Sequence, residues 1–211
     1  MPPTVSDTAP PAASSAASPT VLTRSVRYHA DGGALLEHLT RAGLLRTVDC
    51  GDGPGVRPVD CVLLESADIT TKASRTTVAV LETSAKLTCW GGTVTAEALS
   101  TVDGEGPGVD GLAALARLEE RLGEHVIDRS PGGLTLSLPT SADDDPTIEE
   151  RERLTALSTI EPLRVLAQAE VDHPHLPLEA GAFAFDYLST FESLPEVAQG
   201  ANTCPDYLFY D

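Results

Sequence analysis

Aromatic residues, long apolar segments and export signals are scarce or missing in this 211-residue chain. Phe, Trp and Tyr make up only 4% of the residues, so Leu, Val and Ala must supply most of any core. No apolar run reaches the roughly 20 residues that a membrane-spanning helix needs. The sequence does not open with a charged segment followed by an apolar one. We therefore expect a cytoplasmic protein without a membrane segment.

Basic residues are also few. Fourteen Lys and Arg stand against 32 Asp and Glu, which gives a formal net charge of −18. This charge repels phosphate backbones and anionic lipid, so it argues against nucleic acid or a membrane surface as a partner. Six acidic residues lie between positions 143 and 152, and we interpret them as a solvated loop rather than a metal site.

The cysteines are too widely separated to predict a metal site or a disulfide framework. No CxxC pair occurs, and no histidine lies near a cysteine at zinc-ligand spacing. His173 and His175 flank a proline and have no acidic or thiol ligand at helical spacing, which favours a surface loop. We therefore predict no metal site and four reduced thiols, which are Cys50, Cys61, Cys89 and Cys204.

The first 20 residues differ in composition from the rest. Residues 1–20 are rich in Pro, Ala, Ser and Thr, and they contain no large apolar residue beyond Met1 and Val5. Such a segment cannot bury enough surface to offset its ordering entropy, so we predict a disordered tail. It contains no arginine, which argues against a transit peptide. Residues 21–211 are expected to form the folded domain.

Three segments have the pattern of helices. Asp31, Gly32 and Gly33 open ALLEHLTRAGLL, where Leu35, Leu36, Leu39 and Leu44 fit one helical face. Asp110 can cap GLAALARLEERLGEHV, whose leucines recur at intervals of three and four. The third segment, PLRVLAQAE, follows Ser158 and Glu161, which have the spacing of a capping box. We predict about three packed helices.

Most other ordered segments have the length and composition of strands. Gly91 and Gly92 predict a tight turn within a run of four strands, which we interpret as an antiparallel meander. Residues 46–58 and 103–109 predict loops. The fold class is therefore α+β with a mostly antiparallel sheet. The predicted strands are TRSVRYH, VDCVLLES, TTVAVLE, SAKLTCW, TVTAEAL, LTLSLP, GAFAFDYL and PDYLFYD. We expect the last of them to be an edge strand awaiting further chain.

Four sequence blocks resemble one known family. They are LLESADITTK at 63–72, ERERLTALSTIEPLRVL at 150–166, GAFAFDYLSTFESLP at 181–195 and NTCPDYLFY at 202–210. In this order they resemble the N-terminal part of anthranilate synthase component I, in its actinobacterial form. The resemblance runs from about Val21 to Asp211 and implies the N-terminal portion of that fold.

The resemblance implies a function in tryptophan biosynthesis. The family converts chorismate, with Mg²⁺ and with ammonia from a glutamine amidotransferase partner, into anthranilate and pyruvate, and tryptophan inhibits it from a separate site. Its catalytic and Mg²⁺-binding residues lie in a C-terminal portion that this sequence does not contain. We therefore expect the 211 residues alone to be inactive, to bind no cofactor and to contribute no catalytic residue.

The LLES motif lines the tryptophan site in the family, so the resemblance assigns Leu64, Glu65 and Ser66 to effector binding. These residue types suit the ligand: Glu65 can accept from the ammonium, Ser66 can donate or accept, and Leu64 can cover an indole face. The sequence predicts that the strand ends at Leu64, which leaves the two polar residues at its tip. The family's downstream lysine is not assigned here, because Lys72, Arg75 and Thr76 all compete for its place.

Two other functions remain open on the sequence alone. One is a free-standing amino-acid-binding regulatory module without catalysis. The other is the N-terminal part of aminodeoxychorismate synthase, a related chorismate enzyme. Other candidate residues are interpreted as structural, because none has the context of a catalytic or binding motif. They are Trp90, Ser130, Ser158, Asp186, Asp206 and the glycine-rich segment 103–111.

Overall fold

A computed structural model describes most of the predicted folded domain. The described residues are 31–51, 55–67, 74–140, 155–168, 178–190 and 204–211, with only the backbone described at 65–67, 74–77 and 189. Four predictions therefore lie outside the described residues: the tail at 1–20, the strand at 23–29, the acidic loop at 143–152 and the histidines at 173 and 175.

The described residues form three α-helices, two short 3-10 helices and ten strands. The helices are α1 (Gly32–Arg41), α2 (Val109–Leu122) and α3 (Glu161–Ala167), with short 3-10 helices at Gly123–His125 and Phe185–Thr190. The strands are β1 (Thr47–Asp49), β2 (Val56–Pro58), β3 (Val62–Ala67), β4 (Ser74–Val80), β5 (Ala85–Trp90), β6 (Thr93–Ala98), β7 (Val126–Ser130), β8 (Gly133–Ser137), β9 (Ala180–Phe183) and β10 (Tyr207–Tyr210). Every helix in this part of the chain is too short or too polar to cross a membrane.

One six-stranded sheet forms the centre of the domain. Its order is β7-β8-β6-β5-β10-β9, and all neighbouring strands are antiparallel. Two further pairs, β1-β2 and β3-β4, form separate two-stranded sheets. The predicted α+β class with mostly antiparallel sheet is confirmed.

The predicted meander is wrong, because β4 does not pair with β5. Strands β3 and β4 pair only with each other, and β5 and β6 belong to the large sheet. The turn at Gly91 and Gly92 is confirmed: it joins β5 to β6, and Gly91 adopts φ +58°, which suits glycine. The segment 46–58, predicted as a loop, contains the short pair β1-β2.

The prediction that the last strand lies at a sheet edge is also wrong. β10 lies inside the large sheet, paired with β5 on one side and with β9 on the other. The partner β5 precedes it by more than 100 residues, so no local pattern reveals this pairing. As a result, Tyr207 is completely buried.

The hydrophobic core lies between the large sheet and helices α2 and α3. Sheet residues such as Leu87 and Leu136 contribute to it, together with Leu118 of α2 and Leu166 of α3, and all four are fully buried. The described members of this core cluster begin at Ala85. The contacts that join α1 and strands β1 to β4 to the sheet therefore lie outside this core cluster.

Helix ends differ from the sequence prediction where glycine intervenes. α1 begins after Asp31, whose side chain accepts from the Ala34 amide at 2.7 Å, as predicted for a cap. The helix ends at Arg41, because Gly43 adopts φ +70° and stops it. Leu44, predicted on the apolar helical face, consequently lies beyond the helix and is exposed.

The predicted caps of α2 and α3 are wrong. Gly108 is the N-cap of α2, so Asp110 lies within its first turn. Ile160 is the N-cap of α3 without a side-chain cap bond, and Ser158 contributes only its carbonyl, which accepts from the Glu161 amide at 3.0 Å. Pro162 lies in the first turn, as predicted, where its missing N–H costs little.

Candidate functional site

The β3-β4 ribbon carries the three residues predicted to bind an effector. In its register Leu64 faces Val78, Glu65 faces Thr77 and Ser66 faces Thr76. β3 continues to Ala67, so Glu65 and Ser66 lie within the strand, and the prediction that it ends at Leu64 is wrong. The physical reason lies in the partner, because β-branched threonines favour continued strand pairing.

The ribbon places these positions on two faces. Side chains alternate along a strand, so position 64 shares a face with positions 62 and 66, whereas position 65 belongs to the opposite face. A register shift between Ser66 and Ala67 interrupts the pairing directly afterwards. A single ligand that contacts all three residues must therefore reach around the strand edge near this bulge.

Leu64 and Val78 form an exposed apolar pair on the ribbon. They are opposite each other, and their exposed fractions are 48% and 43%. Within the described residues the ribbon has only two strands, so the outer edge of each strand also presents unpaired backbone groups. Apolar surface beside free amide groups is a suitable environment for a flat, amphipathic ligand.

A large open groove lies elsewhere on the domain. It has a volume of about 830 Å³ and separates the start of β1 from the loop between β6 and α2. Arg46, Asp60 and Thr101 are among its lining residues, and Leu64 is not. Of the three predicted effector residues only Leu64 has a described side chain, and it does not line this groove.

A polar cluster joins the base of the ribbon to the large sheet. The Arg46 Nη1 lies 3.6 Å from the Asp60 Oδ2, and its Nη2 donates to the Thr83 hydroxyl at 3.0 Å and the Thr83 carbonyl at 3.2 Å. The Thr83 hydroxyl donates in turn to the Asp60 carbonyl at 2.8 Å. Tyr210 lies beside Asp60, and burial, followed by the charge of Asp60, raises the pKa of the Tyr210 hydroxyl. Sequence reasoning missed this cluster, because no periodic spacing connects its members.

A second polar network lies inside the core. The Tyr207 hydroxyl donates to the Thr159 carbonyl at 2.6 Å, and the Thr159 hydroxyl is 2.9 Å from the Tyr187 hydroxyl. Cys89 is buried beside them, and burial raises the pKa of its thiol to about 12. A thiol with that pKa stays protonated and unreactive at neutral pH, so this network is structural.

The acidic residues interpreted as structural have no catalytic arrangement. The Asp206 Oδ2 accepts from the Gly91 amide at 2.5 Å, so it satisfies a turn amide as expected. Asp186 is exposed in the 3-10 helix at Phe185–Thr190. Among the described residues, no three His, Cys, Asp or Glu side chains approach closely enough to hold a metal ion.

Ser130, Ser158 and Trp90, all within the described ranges, have surroundings that fit structural roles. Ser130 lies on β7 and its hydroxyl donates to the Gly133 carbonyl within the hairpin, whereas Ser158 is buried beside α3. Trp90 is 51% exposed at the end of β5. Cys50, Cys61, Cys89 and Cys204 form no disulfide with one another, in line with the predicted thiols.

The partly buried carboxyl of Glu179 makes stability depend on pH. Burial, followed by the charge of Asp211, raises the pKa of Glu179 to about 7, although the Ala167 amide donates to it. Its Oε1 is buried and has no hydrogen-bond partner in the described structure. The folded state therefore holds this proton more tightly than the unfolded state, where the pKa is near 4.5. Its stabilising effect is full below pH 4.5 and is lost as the pH rises through about 7.

We expect Glu179→Gln to reduce this pH dependence. At pH 8 the variant should be more stable than the parent by about 1 to 2 kcal/mol, a value discounted from about 1.4 kcal/mol per pKa unit for solvent screening. At pH 4 the two should be equally stable. Urea unfolding between pH 4 and 8 measures the difference. If the free energy of unfolding changes equally with pH in both proteins, the raised pKa of Glu179 is contradicted.

Taken together, the described residues define an α+β domain with an exposed two-stranded ribbon and without a self-contained catalytic centre. No family model matches the chain. It is nevertheless 36% identical over 166 residues to anthranilate synthase component 1 of Salmonella typhimurium, and 34% identical over 166 residues to that of Escherichia coli. It is 34% identical over 149 residues to the pyocyanine-specific anthranilate synthase component 1 of Pseudomonas aeruginosa.

The chain is therefore homologous to part of anthranilate synthase component 1. The alignments cover 70 to 76% of this chain but only 26 to 28% of the relatives, so the chain spans little more than a quarter of their length. The resemblance inferred from the four sequence blocks is confirmed as homology to part of this protein. These relatives are proteobacterial, so the predicted actinobacterial form gains no support.

Proposed function

We propose that the chain is the regulatory and partner-docking part of an anthranilate synthase component 1, and that the β3-β4 ribbon contributes to its tryptophan site. The single observation that carries the proposal is the 36% identity over 166 residues to a protein of that name. In the complete enzyme the reaction would be addition of ammonia to chorismate followed by elimination of pyruvate. The number in the relatives' name also suggests a second component, for which a glutamine amidotransferase subunit is the proposed candidate.

This chain's own residues would bind and position rather than catalyse. The complete enzyme would use Mg²⁺, but the described residues do not offer the cluster of carboxylates that this ion needs. We therefore assign no catalytic step to them. We expect the chain alone to be inactive.

The ribbon can supply three kinds of contact to tryptophan. Glu65 would pair with the ammonium and Ser66 would hydrogen-bond the ligand, each charge-assisted bond contributing about 1.5 to 3 kcal/mol in a half-buried setting. The exposed side chain of Leu64, opposite Val78, would cover one face of the indole. Unpaired amides on the outer edge of β3 would hold the carboxylate.

This arrangement is open on one side. Leu64 is about half exposed, and nothing described in this chain covers the ribbon face to which it belongs. An open half-site loses less water from the ligand and makes fewer contacts than an enclosed pocket. We therefore propose that the part of the enzyme beyond this chain provides the other wall, so that the isolated chain binds tryptophan weakly.

Titration with L-tryptophan, followed by backbone NMR, tests the proposal. We expect saturable shifts that are largest in residues 62–80, with a dissociation constant of about 1 mM or weaker. Glu65→Gln should abolish the shifts, whereas the control Glu105→Gln, in the exposed loop before α2, should leave them unchanged. In a parallel assay with chorismate, ammonia and Mg²⁺, the chain should form no anthranilate.

The other outcomes separate the alternatives. Micromolar binding by the isolated chain would favour a free-standing amino-acid-binding module. Absence of shifts at the ribbon, or shifts only in the groove beside Thr101, would overturn the tryptophan assignment. Anthranilate formation would overturn the expectation that the chain alone is inactive.

A further inference from the structure

Polar contacts lie where the ribbon meets the large sheet. The core cluster begins at Ala85 among the described residues, so no described side chain of the ribbon belongs to it. The cluster of Arg46, Asp60, Thr83 and Tyr210, here called the polar node, lies where the two meet. Orientation of the ribbon therefore depends on directional hydrogen bonds rather than on apolar burial.

Four strand ends converge at the polar node. Arg46 directly precedes β1, Asp60 lies two residues before β3, Thr83 lies two residues before β5, and Tyr210 ends β10. Arg46, Asp60 and Thr83 bond to one another across elements, and Tyr210 lies beside Asp60. The polar node thus connects the start of the ribbon to two adjacent strands of the sheet.

Asp60 carries an unusual backbone conformation. Its φ is +51°, and it is the one described non-glycine residue with a positive φ. This conformation costs free energy for residues with a Cβ, although Asp and Asn tolerate it best. It persists where surrounding bonds hold it, and here Arg46 and Thr83 both bond to Asp60.

The charged members are largely removed from solvent. The Arg46 side chain is 12% exposed and that of Asp60 is 22% exposed, in contrast to the Glu37–Arg41 pair on α1, which is mostly exposed. Loss of one partner leaves the other charge in a poorly hydrated position. Substitutions in the polar node should therefore have effects that a surface ion pair does not show.

We propose that Arg46, Asp60 and Tyr210 are positioning residues, which fix the orientation of the β3-β4 ribbon on the sheet and thereby couple ligand binding on the ribbon to strand β10. The coupling part of this inference rests on the proposed tryptophan site, whereas the positioning part does not. A ligand on the ribbon changes the ribbon's orientation or mobility, and the polar node transmits that change to Tyr210. The change passes through the contacting groups of the polar node, beginning at Asp60, two residues before β3.

Hydrogen-deuterium exchange of the whole chain tests the positioning role without any ligand. Asp60→Asn keeps the tolerance for a positive φ but removes the charge. In this variant we expect the exchange rate in residues 62–80 to rise about tenfold, which is the lower end of the effect of losing a hydrogen bond to a charged group. Tyr210→Phe, which removes a single hydroxyl, should give a smaller rise in the same segment. Exchange in β6 and β8 should remain unchanged in both variants.

Glu97→Gln is the matched control. It removes the 2.6 Å ion pair between Glu97 and Lys86, which joins neighbouring strands inside the sheet. It should leave exchange in the ribbon unchanged. If Asp60→Asn and Tyr210→Phe accelerate exchange equally in ribbon and sheet, or in neither, the polar node is not a positioning device and the inference is overturned.

Tryptophan titration of the same variants then tests the coupling. In the parent chain, saturating tryptophan should shift the amide of Tyr210 as well as the ribbon, and Asp60→Asn should weaken binding about fivefold or more while removing the Tyr210 shift. A Tyr210 shift that survives in Asp60→Asn would overturn the coupling. If the parent chain gives no ribbon shift at all, the tryptophan assignment fails, and the exchange result still decides the positioning role.

Discussion

Replacing Tyr207 with alanine is expected to destabilise the domain by about 3 to 5 kcal/mol, enough to unfold much of the population at 37 °C. The side chain is completely buried, and its ring lies edge-on to Phe183 at 5.6 Å, to Tyr187 at 5.7 Å and to Phe209 at 6.0 Å between ring centroids. Removal leaves a cavity at the point where β10 joins β5 and β9. It also leaves the buried Thr159 carbonyl without its donor. Urea unfolding monitored by far-UV circular dichroism measures the loss.

Two variants separate the contributions of the ring and the hydroxyl. Tyr207→Phe keeps the ring but removes the 2.6 Å bond to Thr159, and it should cost about 1 to 3 kcal/mol. Phe185→Ala removes an aromatic ring that is 84% exposed, and it should change the free energy of unfolding by less than about 0.5 kcal/mol. A Tyr207→Ala protein as stable as Phe185→Ala would show that β10 is not packed in the sheet as described.

Local sequence patterns predicted the features that depend on neighbouring residues. The leucines of α2 recur every three or four residues, and Leu115, Leu118 and Leu122 are buried as that period requires. Gly91 and Gly92 predicted the turn between β5 and β6, because two glycines between strand-like segments favour a hairpin. Asp206 was interpreted as structural, and it satisfies the amide of Gly91.

Features that depend on distant pairing escaped prediction. β10 was expected at an edge because the printed sequence ends there, yet its partners β5 and β9 enclose it. β3 was expected to stop at Leu64, because Glu65 and Ser66 are polar, but its pairing partner extends the strand. In both cases the deciding information lies in another strand, which a local pattern does not contain.

The candidate site was likewise predicted only in part from the sequence. Leu64, Glu65 and Ser66 were assigned through family resemblance, and the backbone register then placed them on alternate faces of the ribbon. Arg46 and Asp60 were not singled out, because a single basic and a single acidic residue 14 positions apart carry no recognisable pattern. Their role depends on the way four strand ends meet, which only the folded chain reveals.

Replacing Gly111 with alanine is expected to destabilise the domain by about 1 to 3 kcal/mol, against the general preference of helices for alanine. Gly111 lies in the first turn of α2, where an added Cβ would overlap the Ser84 carbonyl oxygen and would approach the Ala98 Cβ to 3.0 Å. The Ser84 carbonyl already accepts from the Leu99 amide at 2.8 Å, so it cannot move without breaking that bond. Helix α2 must therefore withdraw from the sheet.

Gly123→Ala is the matched control for this substitution. Gly123 follows α2 with a right-handed φ of −58°, and a Cβ there would meet nothing within 4 Å. Alanine at this position should leave the domain unchanged or stabilise it by up to about 1 kcal/mol, because it restricts the unfolded chain without strain. Opposite signs for the two glycines in urea unfolding are the expected result, and a stabilising Gly111→Ala would contradict the close approach of α2 to Ser84. Because Ser84 follows Thr83 of the polar node, withdrawal of α2 should also increase exchange in the ribbon.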